Sequence, residues 1–301
     1  MKCSFWQKFW FDPVDLTGVA LTRMALGLTL FVTYLFRFQN MNLLTSEALL
    51  PKEQALLLFP EMMRPAWSWT FWPDSWSLAV HGLFCLGLFL WVFGVGGRAL
   101  GVLLWIVHMG FLQRNYAIVF GADVMAGIFL FYLVLIETPP QMKNFSFFKK
   151  NNLFITNLPT SDFISTALLR LLQIQLSVIY AYTGFEKLKG VTWWDGTALW
   201  SIFANPQMVW MDLSFIKNIS WILPAMAFLT IVFEIYFPAA MLSKKVRYYW
   251  LVAGIFFHIG IGFLMSLWAF SLVILSIYFV FIDPLDLRRL ILEMRQKLAF
   301  K

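Results

Sequence analysis

The sequence has little charge and few of the groups that soluble enzymes use for chemistry. Of its 301 residues only 13% are charged, whereas 60% are hydrophobic, with 33 phenylalanines and 15 tryptophans. A soluble domain is about half apolar and about a quarter charged, so this composition predicts a polytopic membrane protein. The two cysteines, Cys3 near the N-terminus and Cys85 inside an apolar run, predict no disulfide.

Several familiar site signatures are also missing. The sequence contains no glycine-rich phosphate loop, no serine-nucleophile motif and no cysteine pair. The histidines His81, His108 and His258 fall on three different predicted helices without paired spacing, so no metal site is predicted. The net charge of +7 is better explained by asymmetric loops than by nucleic acid. The first long apolar run continues as a full span, so we expect no cleaved signal peptide.

Long apolar runs predict an all-α bundle of about eight transmembrane helices. Each run has roughly 15–24 residues and crosses a hydrocarbon core of about 30 Å with some tilt or thinning. We expect a single transmembrane domain over 1–301, without a large extracytoplasmic domain. The predicted spans are 15–37, 76–95, 98–114, 121–137, 164–187, 219–242, 247–265 and 267–282.

The basic residues predict the orientation of these spans. With both termini inside, fourteen lysines and arginines lie in inner segments and seven in outer segments, which favours an N-in, C-in arrangement. We expect the membrane to be a bacterial inner membrane. Segment 39–75 is predicted to lie in the outer interface, because its apolar stretch is too short to span. Residues 285–301 have an apolar stripe opposite basic residues, which predicts an amphipathic helix on the inner surface.

The fifth predicted span carries polar residues along one side. Gln173, Tyr180, Gly184 and Lys187 are spaced by helical periods and share one face, about 21 Å long. A polar face within lipid has to be covered by other helices or by a ligand. Interhelical hydrogen bonding is a sufficient explanation for Gln173 and Tyr180.

Lys187 has two interpretations on sequence alone. A lysine at the end of a membrane helix commonly extends its amine to lipid headgroups. Alternatively, partial burial favours the neutral amine, which can act as a base. Lys189 lies nearer to water and is the better anchor. The neighbouring Glu186 points about 100° away from Lys187, so we expect it to face elsewhere.

Other polar residues cluster at similar depth in neighbouring spans and predict an outward-facing pocket. Any one of the histidines is more often a hydrogen-bonded packing residue than a catalyst. Arg23 and Arg170, in the inner half, are expected to pair with carboxylates such as Asp12, Asp15 or Glu234, or with lipid phosphates. The predicted pocket residues are His108, Gln113, Asn115, Tyr116, Asp123, Glu234 and His258.

A series of short motifs along the chain resembles a known membrane family. They are Phe11-Asp12-Pro13-Val14-Asp15-Leu16, Gln113-Arg114-Asn115-Tyr116, Gly121-Ala122-Asp123, Gln173-Ile174-Gln175, Gly184-Phe185-Glu186-Lys187-Leu188, Trp194-Asp195-Gly196-Thr197-Ala198 and Phe257-His258. In this order they resemble the horizontally transferred transmembrane domain family, whose best-known members are the vitamin K-dependent gamma-carboxylases. The resemblance covers essentially the whole chain, and the block from Gly184 to Ala198 is its most specific part.

The resemblance implies a quinol-dependent carboxylase, a lyase that forms a carbon–carbon bond. Lys187 corresponds to the base that deprotonates a reduced naphthoquinone of the vitamin K or menaquinol type. His258 corresponds to a histidine near the quinone, and Glu234 to a carboxylate in the preceding helix. Oxygen and carbon dioxide are the implied co-substrates, and a peptide glutamate or a related group is the implied acceptor.

The chain also departs from the carboxylase pattern. It has Asn115 where the carboxylases have a histidine and Glu186 where they have a lysine, and we expect it to lack their substrate-binding domain. A partner protein would then supply substrate recognition. The alternative is a non-enzymatic membrane factor that binds or assembles a peptide or lipid for maturation, since stand-alone bacterial members include proteins needed to mature a peptide toxin. A transporter is disfavoured, because no inverted repeat is evident.

Overall fold

The computed structural model describes residues 5–44, 51–70, 72–114, 116–136 and 161–299. In these ranges the regular structure is helical, without strands, which confirms the predicted all-α class. The main helices are α1 Phe5–Phe11, α2 Thr17–Arg37, α3 Asp74–Val92, α4 Gly97–Arg114, α5 Gly121–Leu135, α6 Phe163–Lys189, α7 Ile222–Leu242, α8 Lys244–Met265, α9 Trp268–Ile277 and α10 Pro284–Ala299. Single helical turns and short helices cover Phe38–Leu44, Lys52–Leu57, Glu61–Met63, Arg64–Trp67, Ser68–Thr70, Tyr116–Ile118, Val191–Trp194, Ala198–Phe203, Ser214–Ile219 and Tyr278–Phe281.

The long helices are those of an integral membrane protein. By length and composition, five of the described helices can cross a membrane: α2, continued to Asn42, α3, α6, α7 and α8. A sixth is added if Trp268–Phe281 and Pro284–Met294 count as one span. Large apolar side chains remain exposed on these helices, such as Phe256 on α8 at 71%. Such surfaces are stable in lipid. The number of eight crossings and the N-in orientation stay predictions.

The chain divides into two compact units, the first formed by Met1–Leu169 and Asp283–Lys301. In this unit α2 packs along α3, and α4 packs along α5. Helix α2 buries Leu26, Leu30 and Tyr34 at four-residue spacing, which places them on one face. Helix α10 packs against α2. The Arg288 guanidinium forms an ion pair with Asp15 at 2.6 Å just before α2.

The second unit comprises Arg170–Ile282. Helix α8 packs against both α7 and α9. Helix α8 ends at Met265, and the next residue, Ser266, has a left-handed φ of 55° that stops the helical hydrogen bonding before α9 begins. Between α6 and α7, the chain forms short helices around a small core of Leu213, Ile216 and Leu223.

Two segments predicted to lie at the membrane surface have local structure that fits the prediction. Between the span that ends at Asn42 and the one that begins at Asp74, the described residues form short helices and turns, none long enough to span. Helix α10 has charged residues along one side and apolar residues along the other, as expected for a surface helix. Their positions relative to lipid stay predictions, as does a single domain over 1–301.

Candidate functional site

A close approach of α6 to α7 builds the site around Lys187. Gly184 lies so near α7 that an added Cβ would be 2.7 Å from Cγ1 of Ile235 and 3.1 Å from Cβ of Glu234. Only glycine allows the two backbones to come this close. Lys187 follows three residues later on the same face of α6, so the contact at Gly184 places Lys187 beside Glu234.

Lys187 and Glu234 form a partly buried ion pair. The Lys187 ammonium donates to both carboxylate oxygens of Glu234, at 2.9 Å and 2.7 Å. The Lys187 side chain is 21% exposed and that of Glu234 is 7% exposed. The ring of Trp193 covers the ammonium, with Nζ 5.3 Å from the ring centroid. The amine is therefore held by a carboxylate on one side and an aromatic face on the other.

The neighbouring acid is turned away from this pair, as expected. Glu186 accepts a hydrogen bond from Lys189 at 2.6 Å, and both side chains are exposed. Lys189 is also the more exposed of the two lysines, at 70%. Two lysines that are only two positions apart on one helix thus have different surroundings, and Lys187 is the one with a protected amine.

A tight turn after α6 carries Trp193 back over the lysine. Gly190 precedes the short helix Val191–Trp194, and Gly196 follows it with a left-handed φ of 78°. The Asp195 carboxylate accepts from both the backbone N–H and the hydroxyl of Thr197, at 2.9 Å and 2.6 Å. These hydrogen bonds lower the pKa of Asp195 from its ordinary value. The residues that gave the most specific resemblance therefore form the turn that encloses Lys187.

About one helical turn before Gly184, a second polar group is enclosed by α6, α8 and the turn after α9. The Tyr180 hydroxyl lies 2.6 Å from Nε2 of His258 and 2.6 Å from the hydroxyl of Tyr278. All three side chains are buried. Nδ1 of His258 is buried without a hydrogen-bond partner among the described residues. Tyr180 and His258, both predicted site residues, are thus in direct contact.

Gln173 completes the polar face of α6 with a structural contact. Its amide nitrogen donates to the carbonyl of Val280 at 2.5 Å, and its amide oxygen accepts from Arg170 at 3.0 Å. Of the carboxylates named as possible partners of Arg23 and Arg170, Glu234 is paired with Lys187. Asp15 likewise pairs with Arg288 rather than with Arg23. The Arg23 guanidinium instead lies 6.0 Å from the centroid of the Trp91 ring.

In the first unit, His108 and Asp123 belong to a separate buried network. Nε2 of His108 lies 3.0 Å from the Asp123 carbonyl, and Nδ1 lies 3.0 Å from the Tyr34 hydroxyl. The Asp123 carboxylate accepts from Arg37 at 2.7 Å and from the backbone N–H of Phe120 at 3.1 Å. Asp123 thus holds the first turn of α5 and the end of α2 together.

The remaining predicted pocket residues also lie in the first unit. Gln113 is half-buried near the end of α4, and Tyr116 is exposed. Asn115 lies outside the described residues. Their neighbour Arg114 donates to the carbonyl of Trp72 and to Asp74, each at 2.9 Å. A shared pocket of these residues with Lys187 and His258 stays a prediction.

Sequence reasoning missed four residues that complete these groups. The sequence predicts no site role for Trp193 or Tyr278. Tyr34 and Arg37 were likewise overlooked as partners of His108 and Asp123. A tyrosine within a predicted span is a polar group that needs a partner, and this was the available signal for Tyr34 and Tyr278.

The second unit has an apolar groove beside the Tyr180 network. Its volume is about 380 Å³, and its walls come from α7 and α8. The residues that line it are Met226, Leu229, Thr230, Val232, Phe233, Trp250, Ala253 and Phe257. A larger cavity of about 610 Å³ lies within the segment 200–217, between α6 and α7. Both volumes suit a small organic ligand.

The fold and these groups define a helical integral membrane protein with a protected lysine–glutamate pair. The chain is similar to the Sporulation-delaying protein SdpB of Bacillus subtilis (strain 168), with 26% identity over 211 residues. The match covers 66% of this chain and 62% of that protein, which is less than two thirds of the relative's own length. No family model and no solved structure matches the chain. The carboxylase resemblance stays a prediction.

Proposed function

We propose that this chain is an enzyme of a bacterial inner membrane, related in chemistry to the vitamin K-dependent gamma-carboxylases, with Lys187 as its base. The observation that carries the proposal is the partly buried pair of Lys187 and Glu234 under the ring of Trp193. An amine shielded from water beside a carboxylate is an arrangement suited to proton transfer.

Glu234 has a defined part in this proposal. An ammonium cannot accept a proton, so Lys187 first has to become neutral. Glu234, 2.7 Å from Nζ, is placed to receive that proton, which leaves a neutral amine beside a neutral acid. The amine can then accept a proton at Nζ, and Glu234 can later release its own proton to water, which restores the ion pair. Over one cycle the pair takes one proton from the substrate and passes one proton to water.

The second unit also has features that fit a reduced naphthoquinone. The groove of about 380 Å³ is almost entirely apolar and is lined by aromatic rings. The unpartnered Nδ1 of His258 is a buried polar atom suited to an oxygen of such a ring. Tyr180, Gly184 and Gln173 then have positioning roles on α6. When bound, the reduced ring supplies an acidic hydroxyl and the electrons with which oxygen drives the capture of carbon dioxide by a substrate carbon.

A second candidate function follows from the same ion pair. Because both oxygens of Glu234 hold the Lys187 ammonium, the pair also serves as a tie between α6 and α7. The chain would then be a non-enzymatic factor that binds or assembles a peptide or lipid for maturation with a partner protein. Under this alternative the charge of Lys187 is needed, and its ability to lose a proton is not.

The deciding experiment measures quinone-epoxide formation by the purified protein. The assay supplies a reduced naphthoquinone, oxygen, labelled bicarbonate and a glutamate-containing peptide, with and without membrane extract as a source of partner proteins. Lys187→Arg keeps the charge but removes the base, so epoxide formation should be lost. Lys189→Arg, two residues further on α6, is the matched control and should keep the activity of the wild type.

The outcomes separate the two functions. Epoxide from the wild type and from Lys189→Arg, but not from folded Lys187→Arg, supports the enzyme. Label in the peptide then establishes carboxylation. If no condition yields epoxide, the maturation factor becomes the better description. If Lys187→Arg forms epoxide as fast as the wild type, Lys187 is not the base.

A further inference from the structure

The larger cavity of the second unit has no part in the proposed chemistry. Its volume is about 610 Å³, and its walls come from the short helix Ala198–Phe203, the loop that follows and the helical turn Ser214–Ile219. Neither Lys187 nor Glu234 is among the residues that line it. A cavity of this volume accommodates a small organic molecule or the headgroup of a lipid.

Contacts with the rest of the second unit hold the walls of this cavity in place. The Trp210 indole N–H donates to the carbonyl of Phe263 in α8, and the two rings meet edge-on with centroids 6.0 Å apart. Leu213 and Ile216, which also line the cavity, are buried in the small core with Leu223 of α7. The cavity is therefore kept open by the fold itself, which limits the entropy that is lost when a ligand binds.

Two opposite charges line the cavity without being paired to each other. The Asp212 carboxylate accepts from the backbone N–H and the hydroxyl of Ser214, at 2.8 Å and 3.0 Å. These hydrogen bonds, and more weakly the nearby charge of Lys217, lower the pKa of Asp212, which is therefore an anion at neutral pH. Lys217 has neither a hydrogen bond nor an ion pair with any residue that the structure describes. A close but unpaired anion and cation are complementary to a ligand that carries both charges.

The surface around the cavity indicates a lipid rather than a soluble zwitterion. Large apolar side chains of the same segment are between 40% and 75% exposed, and they are Met208, Trp210, Phe215, Ile219 and Trp221. A contiguous apolar surface of this kind is unfavourable in water, and tryptophan is enriched where a membrane meets water. Acyl chains would cover these side chains while a headgroup meets the two charges.

We propose that the cavity within residues 200–217 binds the headgroup of a phospholipid that carries a primary ammonium and a phosphodiester. Asp212 accepts hydrogen bonds from the ammonium, and Lys217 pairs with the phosphodiester. The acyl chains lie over the exposed apolar side chains of the same segment. This inference goes beyond the proposed function, and it holds whether or not Lys187 acts as a base.

The aromatic walls and the carboxylate together define which headgroup fits. Trp200 and Trp210 line the cavity, and the face of a tryptophan ring attracts an ammonium group. A choline headgroup could also meet these rings, but its quaternary nitrogen has no N–H to donate to Asp212. Phosphatidylglycerol has no cation for Asp212 to hold. The cavity should therefore discriminate between lipids that differ in the headgroup alone.

Native mass spectrometry of the full chain in a neutral detergent measures this discrimination. The dioleoyl forms of phosphatidylethanolamine, phosphatidylcholine and phosphatidylglycerol share their acyl chains and the phosphodiester, and the first alone carries a primary ammonium. The wild type should bind phosphatidylethanolamine about tenfold more tightly than either of the others, the size expected for one charge-assisted hydrogen bond. Glycerophosphoethanolamine, the same headgroup without acyl chains, should not displace the lipid at equal concentration.

Substitution of the two charges should change lipid binding in different ways. Asp212→Asn keeps an acceptor for Ser214 but loses the charge, so the preference for phosphatidylethanolamine over phosphatidylglycerol should disappear. Lys217→Gln should weaken the binding of all three lipids about tenfold, because each has the phosphodiester. Lys245→Gln removes an exposed lysine of α8 that does not line the cavity, and this control should bind phosphatidylethanolamine like the wild type. Both substituted side chains are exposed, so the thermal midpoints without lipid should stay unchanged.

Three results would overturn the proposal. Equal affinity of the wild type for the three lipids rejects it, as does wild-type binding by both Asp212→Asn and Lys217→Gln. Displacement of the lipid by glycerophosphoethanolamine at equal concentration would make the ligand a soluble zwitterion. If the lipids show no preference and a glutamate-containing peptide binds the wild type but not Lys217→Gln, the cavity is a peptide site instead.

Discussion

The Lys187 ammonium lies within hydrogen-bonding distance of both carboxylate oxygens of Glu234, at 2.9 Å and 2.7 Å. The two residues are 47 positions apart in the sequence, on α6 and α7. Lys187 is the last residue of the predicted span 164–187, and Glu234 is the charged residue within the predicted span 219–242. Because each residue supplies the counterion of the other, neither charge depends on lipid headgroups or water alone. Glu234 is therefore the first residue to substitute in a test of the role of Lys187.

Glu234→Gln should weaken both stability and any activity that depends on Lys187. The amide keeps an acceptor but has no charge, so a partly buried ammonium loses its counterion. We expect a loss of about 1–3 kcal/mol in the free energy of unfolding. Glu186→Gln, which removes an exposed partner of Lys189 on the same helix, is the control and should leave the thermal midpoint nearly unchanged. Equal midpoints for both variants would show that the Glu234 pair does not stabilise the protein.

Gly184→Ala should separate α6 from α7. The added methyl group meets Ile235 at 2.7 Å, so the backbones have to move apart and the Lys187–Glu234 contact lengthens. Overpacking of this kind costs about 1–3 kcal/mol. At Gly82 in α3 an added Cβ has open space, and Gly82→Ala should be neutral or stabilising by up to about 1 kcal/mol. Thermal unfolding in detergent measures both, and a neutral Gly184→Ala would contradict the close approach.

Asp123→Asn distinguishes a structural role from a role in a pocket. The substitution removes the charge that holds Arg37 and weakens the acceptor for the N–H of Phe120, so we expect a loss of about 1–3 kcal/mol in unfolding free energy. Activity per folded molecule should stay at the wild-type level. Glu61→Gln removes a charge from an exposed position of the same unit and controls for net charge. Normal stability with lost activity would instead place Asp123 at a ligand.

The turn at Asp195 should contribute to stability in a pH-dependent way. The hydroxyl and backbone N–H of Thr197 stabilise the carboxylate and so lower the pKa of Asp195. The carboxylate is charged in the folded state at pH values where the unfolded chain has begun to bind a proton. The stabilisation is therefore complete above the ordinary pKa, about 4, and is lost as the pH falls through the lowered value.

This dependence can be measured by comparison with Asp195→Ala. The difference in thermal midpoint between wild type and variant should be constant from about pH 5 to 7 and should shrink below about pH 4. Thr197→Ala, which removes the hydroxyl but leaves the backbone donor, should show a smaller effect of the same sign. A difference that stays constant down to about pH 3 would exclude the carboxylate as the source.

The membrane class, the helical architecture and the residues most worth testing are all predictable from the amino-acid sequence. Composition and apolar run length are properties of the chain alone, because a helix in lipid satisfies its backbone internally. The same holds for the shared face of Gln173, Tyr180, Gly184 and Lys187, which follows from helical periodicity. The opposite direction of Glu186 was also predictable, since adjacent positions on a helix diverge by about 100°.

Contacts between groups on different helices depend on how the helices pack, and the sequence does not predict them. Periodicity shows which face of α6 is polar, but not that Lys187 rather than Arg170 is the partner of Glu234 on α7. That choice depends on the backbone approach at Gly184, which sets the depth at which α6 and α7 touch. The hydrogen bond between Tyr278 and Tyr180 likewise depends on Gly254 of α8, because a Cβ at that position would overlap the Tyr278 hydroxyl. Pairing across helices is set by packing distances, which a single sequence does not contain. Both ring nitrogens of His108 have hydrogen-bond partners, whereas Nδ1 of His258 has none among the described residues.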